Sequence, residues 1–277
     1  EPIFIDSETE TWNMCPLLLE RAINDSLKIN KKPKAIILVH LYGMPAKINE
    51  IKEISKKYDI PLIEDAAEAL GSNYDGIPLG TIGDFGILSF NGNKIITTSG
   101  GGALISSSFE HSKKAKFLSS QAKENTIYYQ HKEIGYNYRI SNVLAAIGLG
   151  QIEQIDKKIK IRRKNFSLYK KYLNNIEEIS FLEEPLNFYS NRWITTILVS
   201  SQNGFCKEKI IRSLRKNKVE SRPIWKPMHL QPLYKQYKFY NNNSSEKLFN
   251  LGLCLPSGTT LTEEQISKIS QIIISSK

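Results

Sequence analysis

Short apolar runs and helically spaced apolar positions alternate through the first half of this chain. Ile3-Phe4-Ile5-Asp6 reads as a strand. Leu18, Leu19, Ala22, Ile23 and Leu27 share one face and predict a helix over Pro16–Leu27. Lys34–Val39 is a continuous apolar strand that stops at His40-Leu41-Tyr42-Gly43. A helix over Glu50–Tyr58 follows, with Asn49 placed to cap it, and the next strand opens at Ile60. Strand, helix, strand, helix, strand in that order predicts an α/β fold with a mainly parallel, helix-covered sheet.

The pattern continues with an apolar run over Phe85–Phe90, a turn at Asn91-Gly92-Asn93, then Lys94, Ile95-Ile96, Thr97-Thr98 and three glycines. Ala103–Ile105 reads as a strand and Phe109–Ala122 as a helix. Asn125–Lys132 is aromatic and polar, a loop. Ser141 is positioned to cap a helix from Asn142, which continues as a long amphipathic helix over Ile152–Leu173. Near Glu177 the chain changes character. A strand over Trp193–Val199, a helix over Lys207–Lys216 and a short strand over Val219–Arg222 predict a smaller C-terminal domain, so that the division falls at 1–150 and 151–277. Three prolines stiffen the loop Pro223–Pro232, and Thr262 with Gln265 has capping-box spacing before a last helix, Thr262–Ile274.

Composition changes this picture little. With 40% hydrophobic and 24% charged residues among 277, the chain is ordinary for a globular protein. No apolar run approaches the roughly 20 residues of a membrane helix. Cys15, Cys206 and Cys254 are too few and too scattered for a disulfide framework or a metal site, which fits a reducing cytoplasm. The net charge of +10 suits an anionic small substrate. Its lysines form no long basic block, so it does not point to nucleic acid.

Candidate chemistry gathers in Pro61–Gly102. Asp65 falls at the end of one strand and Lys94 just past another, where α/β folds collect functional groups. A lysine on a tight turn beside apolar strands can attack a carbonyl and form a Schiff base. A carboxylate beside it can keep a pyridinium nitrogen protonated, and the Ser89 hydroxyl can bind a phosphate. Residue types alone leave the bland reading open: a capping Asp, a surface Lys and a buried Ser.

The order of the segments Glu64-Asp65-Ala66-Ala67-Glu68-Ala69-Leu70-Gly71, Gly83-Asp84-Phe85, Ser89-Phe90-Asn91-Gly92-Asn93-Lys94, Thr97-Thr98 and Gly100-Gly101-Gly102 resembles the DegT-type sugar-nucleotide aminotransferases. These enzymes use pyridoxal 5'-phosphate (PLP) and have the aspartate aminotransferase (type I) fold. The resemblance implies that Lys94 is the Schiff-base lysine, that Asp65 pairs with the pyridine nitrogen and that Ser89 binds the cofactor phosphate. Glu68 falls near the ring, where many members carry His or Gln.

Gly135-Tyr136-Asn137-Tyr138-Arg139 resembles the family segment that reaches a neighbouring subunit, which implies a homodimer with shared sites. Asn137 would then bind the partner's cofactor phosphate and Arg139 would lie by the nucleotide. His229 is a substrate-contact candidate, and His40 and Tyr42 are weaker ones. For His40 the alternative is a strand-end histidine bonded to backbone.

The resemblance implies transfer of an amino group from glutamate to a UDP-linked 4-keto-6-deoxy sugar in bacterial surface-glycan synthesis. Two rivals stay open: a PLP-dependent sugar dehydratase, which would carry His in place of Lys94, and a noncatalytic sensor or partner protein on the same fold. Family members carry roughly a hundred residues ahead of the segment matching Glu1-Pro2, of ordinary size for part of a domain. Two expectations stay open: the 277 residues are part of a longer protein, or the chain as given lacks half of its cofactor cradle and binds PLP poorly.

Overall fold

The computed structural model describes all residues, Glu1–Lys277. The elements of the first half run β1 (Phe4–Ile5), α1 (Pro16–Lys28), β2 (Ile36–Val39), α2 (Ile48–Tyr58), β3 (Leu62–Asp65), β4 (Asn73–Tyr74), β5 (Ile77–Pro78), β6 (Phe85–Ser89), β7 (Gly102–Ile105), α3 (Phe109–Ser119) and α4 (Asn142–Ile152). The second half adds α5 (Ile155–Leu173), β8 (Ile179–Phe181), β9 (Phe188–Tyr189), β10 (Thr195–Val199), α6 (Lys207–Lys216), β11 (Arg222–Pro223), β12 (Phe239–Tyr240), α7 (Ser244–Leu251), β13 (Gly252–Leu255) and α8 (Glu263–Ile274).

One sheet has the order β2-β3-β6-β7. β2, β3 and β6 are parallel and β7 closes the edge antiparallel. Parallel strands need crossovers, and α2 supplies the one between β2 and β3. Ile36 and Leu38 of β2 pack with Ile48 and Ile51 of α2, whereas Ile37 and Val39 on the opposite face stay exposed. β6 lies tight against the turn at Gly80: a Cβ on Gly86 would stand 1.8 Å from the Gly80 carbonyl oxygen. Only glycine permits that approach.

A second sheet, β11-β13-β10-β8, is antiparallel throughout. It packs on α5, α6 and α8 through the largest apolar cluster, which includes Tyr169, Leu173, Ile197, Ile210, Leu253 and Ile266. β1 pairs in parallel with β12, bringing the start of the chain beside the second half. Asp6 fixes that junction. Its carboxylate accepts the backbone N–H groups of Ser7, Asn242 and Ser245 at 2.8–3.0 Å. Burial alone would raise its pKa, and these bonds together outweigh burial and hold it below the ordinary aspartate value.

The structure corrects several expected boundaries. Asn49 does not cap α2, which begins two residues before the expected Glu50, at Ile48, because that side chain is fully buried against the sheet. α3 stops at Ser119 rather than Ala122. Gln121 and Ala122 take positive φ, and the chain folds back so that Gly135 packs where a Cβ would meet the Ala122 nitrogen at 2.2 Å. The helix expected to run on from Asn142 breaks at Glu153-Gln154. α5 buries a stripe that includes Ile159, Phe166, Tyr169 and Leu173, while α4 buries nothing. β10 starts at Thr195, because the Trp193 carbonyl is taken by Arg162 and the Thr195 N–H by Ser257. β11 is confined to Arg222–Pro223, where it meets β13, since Lys218 turns the chain at φ 59°. Ser141 and the Thr262–Gln265 box cap their helices as expected.

Candidate active site

The parallel strands deliver the site. Val39 pairs with Asp65 and Asp65 with Ile87, so the C-terminal ends of β2, β3 and β6 lie side by side. Residues just beyond them, His40, Ala66 to Glu68 and Ser89 onward, share one end of the sheet, where open α/β sheets bind ligands. The turn after β6 is closed at its base. Phe90 bonds Gly101 and Thr98 through backbone at 3.0 and 2.9 Å. Its tip is held where the Trp193 indole N–H donates to the Asn93 carbonyl at 2.8 Å. Lys94 follows, with its nitrogen 4.3 Å from the centre of the Trp193 ring. An ammonium over indole is favoured by the ring's electron-rich face. Arg162 holds Trp193 in place through its carbonyl.

The carboxylate that touches Lys94 is Glu68, at 3.5 Å from Oε1. Oε2 accepts the Tyr42 backbone N–H at 2.7 Å, and the Trp225 indole N–H reaches Oε1 at 3.4 Å. Burial pushes the Glu68 carboxyl above the ordinary glutamate range, against the lowering pull of the Tyr42 N–H and the Lys94 charge. Asp65 is not the partner of Lys94. Its Oδ1 accepts the Ala67 N–H at 3.1 Å, and Oδ2 has no bond within the chain. Ser89 accepts the Asn91 N–H at 3.4 Å, leaving its own proton free to donate. An amine, a carboxylate with one open oxygen and a hydroxyl with a free proton form the donor set that suits PLP: its aldehyde, its ring nitrogen and its phosphate.

The remaining expected residues are placed differently. His40 is fully buried. Its Nδ1 accepts the Ala46 N–H at 3.1 Å, so Nε2 carries the proton and donates to Glu64 Oε2 at 3.1 Å. Both nitrogens are used within the fold, as in the backbone-bonded reading, and none is left for a substrate. Tyr42 is also buried, with its hydroxyl accepting the Trp225 backbone N–H at 2.8 Å. It supports Glu68 and Trp225 from within, and burial raises its pKa.

His229 bonds Glu246 at 3.0 Å and stacks on Phe239 at 3.6 Å between ring centres, outside the Lys94 cluster. From the same proline-rich loop, Trp225 is the residue that enters the cluster. Asn137 and Arg139 are exposed on a segment bonded along the end of α3. Trp193 and Trp225 were the residues of this cluster hardest to find from sequence. The only signal was tryptophan at a strand start and in a proline-clamped loop. A cavity of about 630 Å³ opens beside Trp225, bounded by β11, β13 and the start of α8.

This fold with this lysine-centred set defines a PLP-dependent transferase of type I. Residues 1–274 match the model of the DegT/DnrJ/EryC1/StrS aminotransferase family, and the chain belongs to that family. It is 46% identical over 277 residues to EpsN of Bacillus subtilis, whose name describes a pyridoxal phosphate-dependent aminotransferase. That match covers 99% of this chain and 71% of EpsN. It is 36% identical over 272 residues to the GDP-perosamine synthase of Escherichia coli O157:H7, covering 98% and 72% of the two chains. Among solved structures it resembles Helicobacter pylori PseC, an aminotransferase involved in the biosynthesis of pseudoaminic acid. The TM-score is 0.90 at 25% identity, covering all of this chain and 73% of PseC. The cofactor is pyridoxal phosphate, and the chain is a sugar aminotransferase of this family. No helix is long and apolar enough to cross a membrane.

Proposed function

We propose that this chain transfers an amino group from glutamate to a nucleotide-linked 4-keto-6-deoxy sugar, UDP-linked, for a bacterial surface glycan made in the cytoplasm. The observation that carries the reading is Lys94, confined between the Glu68 carboxylate and the Trp193 ring at the strand ends that bear Asp65 and Ser89. Lys94, Asp65 and Ser89 would hold pyridoxal phosphate, with Glu68 beside them. When bound, the cofactor supplies an aldehyde for amines and a ring that draws electrons from the adjacent carbon.

Asp65, with Oδ1 fixed by Ala67, offers Oδ2 to keep a ring nitrogen protonated. Ser89 donates its hydroxyl proton to a phosphate oxygen. Lys94 Nζ takes a proton from the α-carbon of the amino donor and later returns one to the carbon that bore the sugar ketone. The Trp193 ring excludes water from one side of that nitrogen.

Asn137 and Arg139 act across a dimer interface in this reading, Asn137 on the partner's cofactor phosphate and Arg139 on the diphosphate of the substrate. Support comes from their exposure and from α4, which buries no residue within its own chain.

The test is an absorption spectrum with added PLP, before and after glutamate, followed by turnover of UDP- and GDP-linked 4-keto-6-deoxy sugars. A visible band that glutamate bleaches, and amination of the UDP sugar, are expected. Amination of the GDP sugar alone is the second reading, favoured by the 36% identity to a GDP-perosamine synthase. No band and no turnover would leave a noncatalytic partner protein. Removal of a hydroxyl from the sugar without amination would mean a dehydratase, against which Lys94 itself argues.

A further inference from the structure

Glu68 stands between two groups that belong to different parts of the chain. Its Oε2 is pinned by the backbone N–H of Tyr42 at 2.7 Å, and Tyr42 is itself buried at positive φ, so the carboxylate has little freedom to turn away. Oε1 faces two donors at longer range, Lys94 Nζ at 3.5 Å and the Trp225 indole nitrogen at 3.4 Å. Neither contact has the length of a tight charge-assisted hydrogen bond, about 2.7–2.9 Å.

Trp225 is anchored by its backbone N–H on the Tyr42 hydroxyl at 2.8 Å, and the residue is 42% exposed. Its ring lies 5.4 Å from that of Tyr42 and 6.4 Å from that of Trp193, and its exposed part leaves room to turn about the anchored backbone. Trp225 also lines the cavity of about 630 Å³, with Ile194, Arg222, Cys254 and Ser257.

We infer that Glu68 is a positioning residue that couples the charge on Lys94 to the placement of Trp225. While Lys94 is an ammonium, Oε1 is shared between the two donors. When Lys94 gives up that charge, Oε1 belongs to the indole alone, and Trp225 is drawn inward, away from the cavity. The cavity wall thus reads the state of the reacting amine. The inference rests on Lys94 being that amine.

The titratable groups facing Glu68 are Lys94 from the turn after β6, the Tyr42 phenol from the loop after β2, and the Cys254 thiol from β13. Burial raises both of the latter, the thiol to about 12, so they stay neutral near neutral pH and Lys94 is the charge that matters. Burial also raises Glu68 above the ordinary glutamate value.

The experiment follows the indole ¹⁵N–H signal of Trp225 by NMR in cofactor-free protein across pH, with Trp225→Phe to assign it. In the unmodified chain the signal should titrate with a midpoint above the ordinary glutamate value. Lys94→Met removes the opposing charge, so the midpoint should rise by about one pH unit or more. Glu68→Gln should abolish the titration. An indole signal indifferent to pH, or an unchanged midpoint in Lys94→Met, overturns the coupling. Should Glu68→Gln fail to fold, the Lys94→Met arm decides alone. Added PLP separates this from the catalytic reading. A normal titration without a visible absorption band would sink Lys94 as the reacting amine and leave the electrostatic link standing. A band without the titration would do the reverse.

Discussion

Lys94 Nζ lies 3.5 Å from Glu68 Oε1, while Asp65, three residues earlier on the same segment, turns one oxygen to the Ala67 N–H. Two acids that read alike in sequence are thereby separated. Glu68 is tied to the lysine and to Trp225, and Asp65 keeps an oxygen for an outside partner. The division explains how a lysine and a carboxylate with a free oxygen can share one end of the sheet without neutralising each other.

Lys94→Ala should lower turnover by roughly 10⁴-fold or more, since it removes both the nucleophile and the proton carrier. The protein should still fold, because Lys94 contributes one long ion pair and one ring contact. Steady-state rates and the visible absorption with PLP check this together. A variant with the original rate would exclude Lys94 from the chemistry.

Asp65→Asn keeps the shape and the Ala67 bond but loses the negative charge that holds a pyridinium proton. Turnover should fall by several orders of magnitude with little change in melting temperature. A near-normal rate would take Asp65 out of the site and leave Glu68 as the acid beside the cofactor.

Much of this was legible because strand runs and strand ends carry local signals. The apolar runs around Ile36, Leu62 and Ile87 located the three parallel strands, and Asp65 and Ser89 were readable as strand-end residues. Pairings made over long sequence distance were not legible. The Glu68–Trp225 bond joins residues 157 apart, and Trp193 reaches Asn93 across 100 residues. His229 was a substrate-contact candidate through the resembling family's loop at the active-site mouth, and the structure packs it on Phe239 and bonds it to Glu246. Helix ends failed where burial, as at Ile48, outweighed capping propensity.

Glu64 is a structural acid, and its loss should unfold the chain rather than slow it. It is fully buried and accepts His40 Nε2 at 3.1 Å and the backbone N–H groups of Gly80, Ile82 and Gly83 at 2.5–2.8 Å. Burial alone would raise its pKa. The bond from His40 and those from Gly83 and Gly80 together outweigh burial and hold it below the ordinary glutamate value. A depressed folded pKa contributes stability that is present above the unfolded value and is lost as pH falls through the folded one. Acid should therefore destabilise the protein as pH falls below the ordinary glutamate value. Glu64→Ala should cost about 3–5 kcal/mol in chemical denaturation and flatten that acid limb. An acid limb unchanged in the variant would assign it to other carboxylates, Asp6 first among them.

The last prediction concerns assembly. Asn137 and Arg139 lie on an exposed segment whose neighbours Tyr136 and Tyr138 stack on each other at 4.9 Å and face outward. α4, which follows, exposes Val143, Ile147, Leu149 and Ile152. A twofold dimer presents one patch twice, so an Asn137 that serves the partner's site would be matched by the partner's own copy of that segment serving this one. Asn137→Ala should then weaken phosphate binding and leave Lys94 intact. Mixing Lys94→Ala protein with Asn137→Ala protein, under conditions that exchange subunits, builds hybrids in which one site holds both defects and the other holds neither. Activity should rise above that of either parent. Exchange is confirmed separately with tagged subunits. If exchange occurs and activity does not recover, each site is built from one chain, and Asn137 belongs to the surface rather than to the partner's phosphate.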